Sequence, residues 1–90
     1  MSFRATLFKV DGKGGWTFAP VPPEHAPELA GSWGRTPCVA TVDGQTWATS
    51  VWRDKAGDWV LPVPARIRRG KGHGDEVVIS LAPDPDRAPA

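Results

Sequence analysis

The sequence is poor in the features that usually announce a chemistry. It holds one cysteine, Cys38, so no internal disulfide can form and no cage of thiolates can hold a metal. Cys38 precedes an apolar stretch with only Arg35 as a nearby cation, which suits a small buried hydrophobe better than an activated thiol. Neither sign of charge prevails: 11 Lys and Arg face 10 Asp and Glu, for a net charge of +1. Without a whole-molecule field to attract polyanions, any nucleic-acid site has to be a local patch. No apolar run approaches the ~20 residues of a membrane span, and the opening "MSFRATLFKV" lacks a signal-peptide core. A soluble, cytoplasmic protein with no membrane partner is therefore expected. The two histidines, His25 and His73, lie in proline- or glycine-rich segments with no nucleophile–base arrangement around them. With His25 and His73 assigned to opposite ends of the fold, their nearby carboxylates do not make a metal site either. The expectation is a protein with no catalytic residues, no metal and no cofactor.

What is present is aromatic bulk, glycine and proline. A chain of 90 residues buries only about 60–65% of its unfolded surface, so five Trp and three Phe weigh heavily in any core. The prolines and glycines recur in order. "ATLFKVDGKGGW" aligns with "ATSVWRDKAGDW", matching Ala5/Ala48, Thr6/Thr49, Asp11/Asp54, Gly14/Gly57 and Trp16/Trp59. Each segment runs on to Pro-Val-Pro (residues 20–22 and 62–64), then a short helix-compatible piece ending in glycine, then an apolar strand.

Each copy reads as strand, tight turn, strand, short helix, strand. Asp and Gly in "DGKGG" and "DKAG" suit turns with left-handed or Asx geometry. Pro-Val-Pro removes two N–H donors and should end the second strand at a sheet edge. Phe3, Ala5 and Leu7 share one face of the first strand, and Val77, Ile79 and Leu81 share one face of the last. Two three-stranded halves, about 3–43 and 46–82, predict a mainly β fold. The arrangement expected is a six-stranded double-split pseudo-barrel of the swapped-hairpin kind, with two short capping helices and internal pseudo-twofold duplication. Residues 1–83 form one domain in this reading and 84–90 a flexible tail. Trp16 and Trp59 are expected to pack symmetrically in the core.

The candidate site is the run "VPARIRRGKGHGDEVVISL". Arg66, Arg68, Arg69 and Lys71 could bind a phosphate or carboxylate, or they could coat a solvated helix face with Ile67 turned to the core. A nucleotide loop would need strand, glycines, then helix, whereas the order here is helix, glycines, strand. Gly72 and Gly74 are expected to supply positive φ, and Asp75 to accept backbone N–H bonds. The counterpart segment "PEHAPELAG" carries Glu24 and Glu28, so the two ends are opposite in charge and symmetric duplex recognition is not favoured. Trp33 and Trp47 are the candidates for stacking against a ligand ring; Trp47 and Trp52 should face opposite sides of one strand.

The series "FRATL", "GGWTFAPVP", "CVATVDGQTW", "WVLPVPARIRRG" and "GDEVVISLAPD" resembles the bacterial domain-of-unknown-function family 1905, over about residues 3 to 84. The markers are Asp43-Gly44 before Trp47, and Gly74-Asp75 before an apolar strand. None is catalytic. Residues 63–81 also resemble the proline, basic helix, Gly-Asp and strand pattern of the AbrB and MazE swapped-hairpin proteins, which build a comparable barrel from two chains and bind DNA through arginines. The expected function is a non-enzymatic module, monomeric or weakly dimeric, binding a protein partner or anionic ligand through the 66–71 end. The alternative is an AbrB-like nucleic-acid-binding regulator.

Overall fold

The computed structural model describes residues 2–10, 15–25 and 35–84. In chain order they form β1 (Ser2–Thr6), β2 (Phe8–Lys9), β3 (Thr17–Val21), a 3-10 turn (Pro23–His25), β4 (Arg35–Val42), β5 (Gln45–Arg53), β6 (Trp59–Pro62), α1 (Ala65–Arg68) and β7 (Glu76–Pro83). All strand pairs are antiparallel, in the order β1-β7-β4-β5-β6-β3-β2. β1 and β2 flank Leu7, and they pair with opposite ends of the sheet, β7 and β3. The sheet thus returns to its own first segment and is a nearly closed barrel.

Seven strands replace the six expected, because the N-terminal strand breaks at Leu7. There the backbone passes from one neighbour to the other: Leu7 still bonds the β7 side, its N–H donating to Asp75 O at 2.8 Å and its O accepting from Gly74 N–H at 2.9 Å, while Phe8 pairs with Phe18 of β3. Of the two helices expected, α1 is one turn with Ile67 buried, and the other region contributes a 3-10 turn over Pro23–His25. The remainder of "PEHAPELAG" lies outside the described residues, as do the "DGKG" of the first turn and residues 85–90. Asp84, just past β7, is buried.

Strand alternation fills the barrel as the sequence pattern requires. Phe3, Ala5 and Leu7 point inward, with Ala19, Val21, Cys38, Ala40, Val42, Val51, Leu61, Val63, Val77 and Ile79. The lining is aliphatic, and Trp47 and Trp59 are only partly buried against it. Trp16 corrects the expectation of a symmetric tryptophan core, since it is 51% exposed. It lies instead in an outer aromatic cluster, with ring centroids 5.6 Å from Trp52 and 6.1 Å from Phe18, and Phe8 a further 5.9 Å from Phe18. Val60 is 5% exposed without belonging to the interior cluster; it is cross-strand neighbour to Trp52 and Pro20 on the outer face.

Exchanging β1/β2 with β5, β3 with β6 and β4 with β7 returns the same neighbours around the sheet. The residue correspondence, however, is one position away from the sequence alignment. Ala5 is buried and Ala48 exposed. Matching surroundings belong to Phe3 and Trp47, whose partners Ile79 and Ala40 are both buried, and to Ala5 and Thr49, opposite Val77 and Cys38. A slip of one residue turns every side chain to the other face, which is why Trp16 falls outside and Trp59 half inside.

Candidate functional site

Closure of the barrel is incomplete at two places, and proline sets both. β6 pairs with β5 only at Val60↔Trp52 and Trp59↔Arg53. Continued in register, the next hydrogen-bonding positions facing β5 would be residues 62 and 64, opposite Ser50 and Ala48, and both are proline. Leu61 and Val63 face β3, where Val63 N–H donates to Thr17 O at 2.9 Å. β6 therefore stays with β3 and parts from β5. The same occurs between β1 and β3: beyond Phe8↔Phe18, the positions opposite Thr6 and Arg4 are Pro20 and Pro22.

Each seam opens a groove of about 440 Å³. The β5–β6 groove is lined by Trp16, Trp47, Thr49, Pro62, Pro64 and Arg68, among others. The β1–β3 groove is lined by Arg4, Thr6, Phe8, Pro20, Asp54 and Asp58, among others. Apolar walls with a few polar groups, at this size, are typical of small binding sites.

The four candidate cations at the α1 end divide into two pairs. Arg68 is folded back as a brace: its Nε donates to Val63 O at 3.0 Å and its Nη1 to Lys71 O at 3.1 Å. Lys71 is likewise engaged, with Nζ donating to Asp43 Oδ2 at 2.7 Å and to Glu76 O at 2.8 Å. The side chains of Arg66 and Arg69 are exposed and make no hydrogen bond or ion pair with any described residue. Arg69 closes α1 in the left-handed region at φ 53°, a conformation uncommon for a side-chain-bearing residue. Gly70 follows at φ 92°.

Asp43 ties this end together. With φ 46° it opens a two-residue turn with Gly44 at φ 85°, the primed geometry that Asp-Gly favours between strands. Its Oδ1 accepts Val78 N–H at 2.9 Å, and its own N–H donates to Val78 O at 2.9 Å. The Lys71 ammonium, and then the Val78 amide, hold the Asp43 carboxyl below its ordinary value of 3.8. This bond between the β4–β5 turn and the loop after α1 was missed from sequence. The "DG" pair signalled the turn, but nothing local relates residue 43 to residue 71.

The loop before β7 follows its predicted logic in part. Gly74 has φ 89°, and Asp75 Oδ2 accepts Gly72 N–H at 2.8 Å; Gly70, rather than Gly72, supplies the second positive φ. The histidines are apart: His73 Nδ1 accepts Lys9 N–H at 3.0 Å, and the His25 ring lies 4.7 Å from that of Phe3. Among the described residues no three His, Cys, Asp or Glu side chains gather as a metal site, and no helix is long and apolar enough to cross a membrane. Trp47, one of the two stacking candidates, forms a wall of the β5–β6 groove. Trp33, the other, lies outside the described residues. Trp16 was not a sequence candidate, because its alignment with Trp59 assigned it to the core.

No curated protein matches this chain. The family model described as Domain of unknown function (DUF1905) matches residues 3–81, nearly the whole chain, and the protein belongs to that family.

Proposed function

We propose that this protein is a small non-catalytic binding module whose ligand enters the β5–β6 groove at the α1 end. The observation that carries this reading is the meeting of two tryptophans, Trp16 and Trp47, with a cationic helix end across a seam that proline keeps open. Such walls favour a ligand with an apolar body and an acidic group, the aromatic faces covering the first and Arg66 and Arg69 meeting the second. Arg68 contributes its apolar stem to the wall while its head braces the helix. Two proline-split seams also support a double-split barrel built from a duplicated half. Nucleic-acid binding finds less support, since the free arginines sit at one end of a molecule with net charge +1.

Anilinonaphthalene sulfonate, an aromatic body with one anionic group, is a direct probe. Saturable fluorescence enhancement is expected, lost in Trp47→Ala and weakened in Arg66→Ala/Arg69→Ala. Absence of saturable binding by the native protein would overturn the groove as a ligand site.

A further inference from the structure

We infer that the groove takes its partner as an extended peptide added as a strand to the free edge of β5, an inference that rests on the groove reading above. Two independent counts of the ladder agree on which way the β5 backbone points. From the two-residue turn at Asp43-Gly44, Val42↔Gln45 is the first hydrogen-bonded pair, so residues 46, 48 and 50 turn their N–H and C=O groups away from β4. From the other end, Asp54 N–H donates to Asp58 O, which makes Trp52↔Val60 the next bonded pair and again directs 50, 48 and 46 toward β6. Pro62 and Pro64 stand where donors would answer, so Thr46, Ala48 and Ser50 offer three successive donor–acceptor pairs with no strand partner among the described residues.

An edge of this kind is normally blunted. Lysine, inward charge, proline or a bulge on the edge strand prevents pairing with another chain. Residues 45–52, "QTWATSVW", contain no charge, no proline and no glycine, and their register with β4 is unbroken over eight consecutive pairs. The groove beside this edge is lined by Trp16, on the outer face with Trp52, and by Trp47, half-buried on the inner face. Each ring thus borders one of the two alternating rows of side chains of an added strand. Residues 46–50 span roughly 16 Å at about 3.3 Å per residue, room for a strand of about five residues. Running antiparallel to β5, such a strand ends beside α1, where the Arg66 and Arg69 side chains have no polar partner among the described residues. The occupant is therefore an extended segment with alternating apolar residues and an acidic residue or free carboxylate at its C-terminal end.

The test is selection of displayed random peptides on the intact protein, followed by N-methylation of each amide of an enriched peptide in turn. Strand addition predicts that methylating alternate amides weakens binding about tenfold or more each, while the intervening ones have little effect. Amide exchange at Thr46, Ala48 and Ser50 should slow when the peptide binds. Ala48→Pro should remove binding, and N-methyl scanning decides the matter if that variant fails to fold. Enriched peptides indifferent to N-methylation would overturn strand addition while leaving the groove. No enriched peptide, with saturable anilinonaphthalene sulfonate binding intact, would do the same. Loss of both would remove the groove itself. A concentration-dependent dimer that protects these amides without peptide would overturn the proposal by making a second copy the occupant.

Discussion

The two seams begin alike and finish differently. Both arise where Pro-Val-Pro removes two donors facing a neighbouring strand, and both enclose about 440 Å³. Beside the β1–β3 seam, the exposed edge is short and breaks at Leu7. It carries Arg4, which pairs with Glu76 at 3.7 Å, and it looks onto Asp54 and Asp58. Asp54 there is committed to its turn, its Oδ1 accepting the N–H groups of Ala56 and Asp58, each at 2.9 Å. Beside the β5–β6 seam the edge is long, unbroken in register and uncharged over residues 45–52, with tryptophan along the groove. One topology thus yields a blunted edge and an open one, separated by the break at Leu7 and by the charge each edge carries.

The strongest way to break this comparison is to place proline on successive residues of β5. Thr49→Pro removes a donor that faces β4, in the middle of the barrel, and should cost about 3 kcal/mol or more. Ala48→Pro removes a donor with no strand partner among the described residues and should cost at most about 1 kcal/mol, as proline is tolerated where the N–H faces out of the sheet. Urea denaturation of the two variants measures the difference. Equal costs would mean that β5 has no free edge.

Asp43→Asn is next in size. Asparagine tolerates the left-handed backbone at residue 43, so the variant isolates the charged bond to Lys71, and a loss of about 1–2 kcal/mol at neutral pH is expected at this partly exposed pair. The folded-state value of Asp43 lies below its unfolded one. Its contribution is therefore complete above about pH 4 and lost as pH falls through the lowered folded value. The stability curves of the native protein and of Asp43→Asn should converge in that acid range; parallel curves would show that the carboxylate charge contributes nothing.

Pro62→Ala sharpens the account of how the seam forms. It restores a donor opposite Ser50, worth about 1 kcal/mol if bonded, and gives back unfolded-state freedom of similar size. Stability should barely change. The new amide should exchange slowly and probe binding should weaken if the proline holds the groove open, whereas rapid exchange would assign the opening to the path of α1. Smallest in stability is Arg66→Ala/Arg69→Ala, within about 0.5 kcal/mol of the native protein, because neither head hydrogen-bonds or ion-pairs with a described residue. Its effect should appear only in binding of the anionic probe and in the salt dependence of that binding.

Much of the barrel could be read in the chain itself. Alternation in "FRATL" and "DEVVISL" announced which residues turn inward, because a strand has period two whatever it packs against. Pro-Val-Pro marked the ends of pairing, since a missing N–H is a local fact. The Trp16/Trp59 alignment failed because identities do not carry phase: one residue of slip leaves the same letters in place and reverses the face. Arg68 and Lys71 looked like free cations for a related reason. The carbonyls of Val63, Lys71 and Glu76 and the carboxylate of Asp43 that engage them become neighbours only after α1 turns back toward the β4–β5 hairpin.

Local stereochemistry, by itself, determined the β class, the two-residue Asp-Gly turn, the inward faces and the four prolines that forbid pairing. Only the tertiary structure decided which strand edge those prolines expose, which tryptophans stand beside it and which arginines remain unengaged. A proline removes its own hydrogen bond wherever it lies, but the strand deprived of that bond is chosen by long-range pairing, and so is everything that then lines the gap.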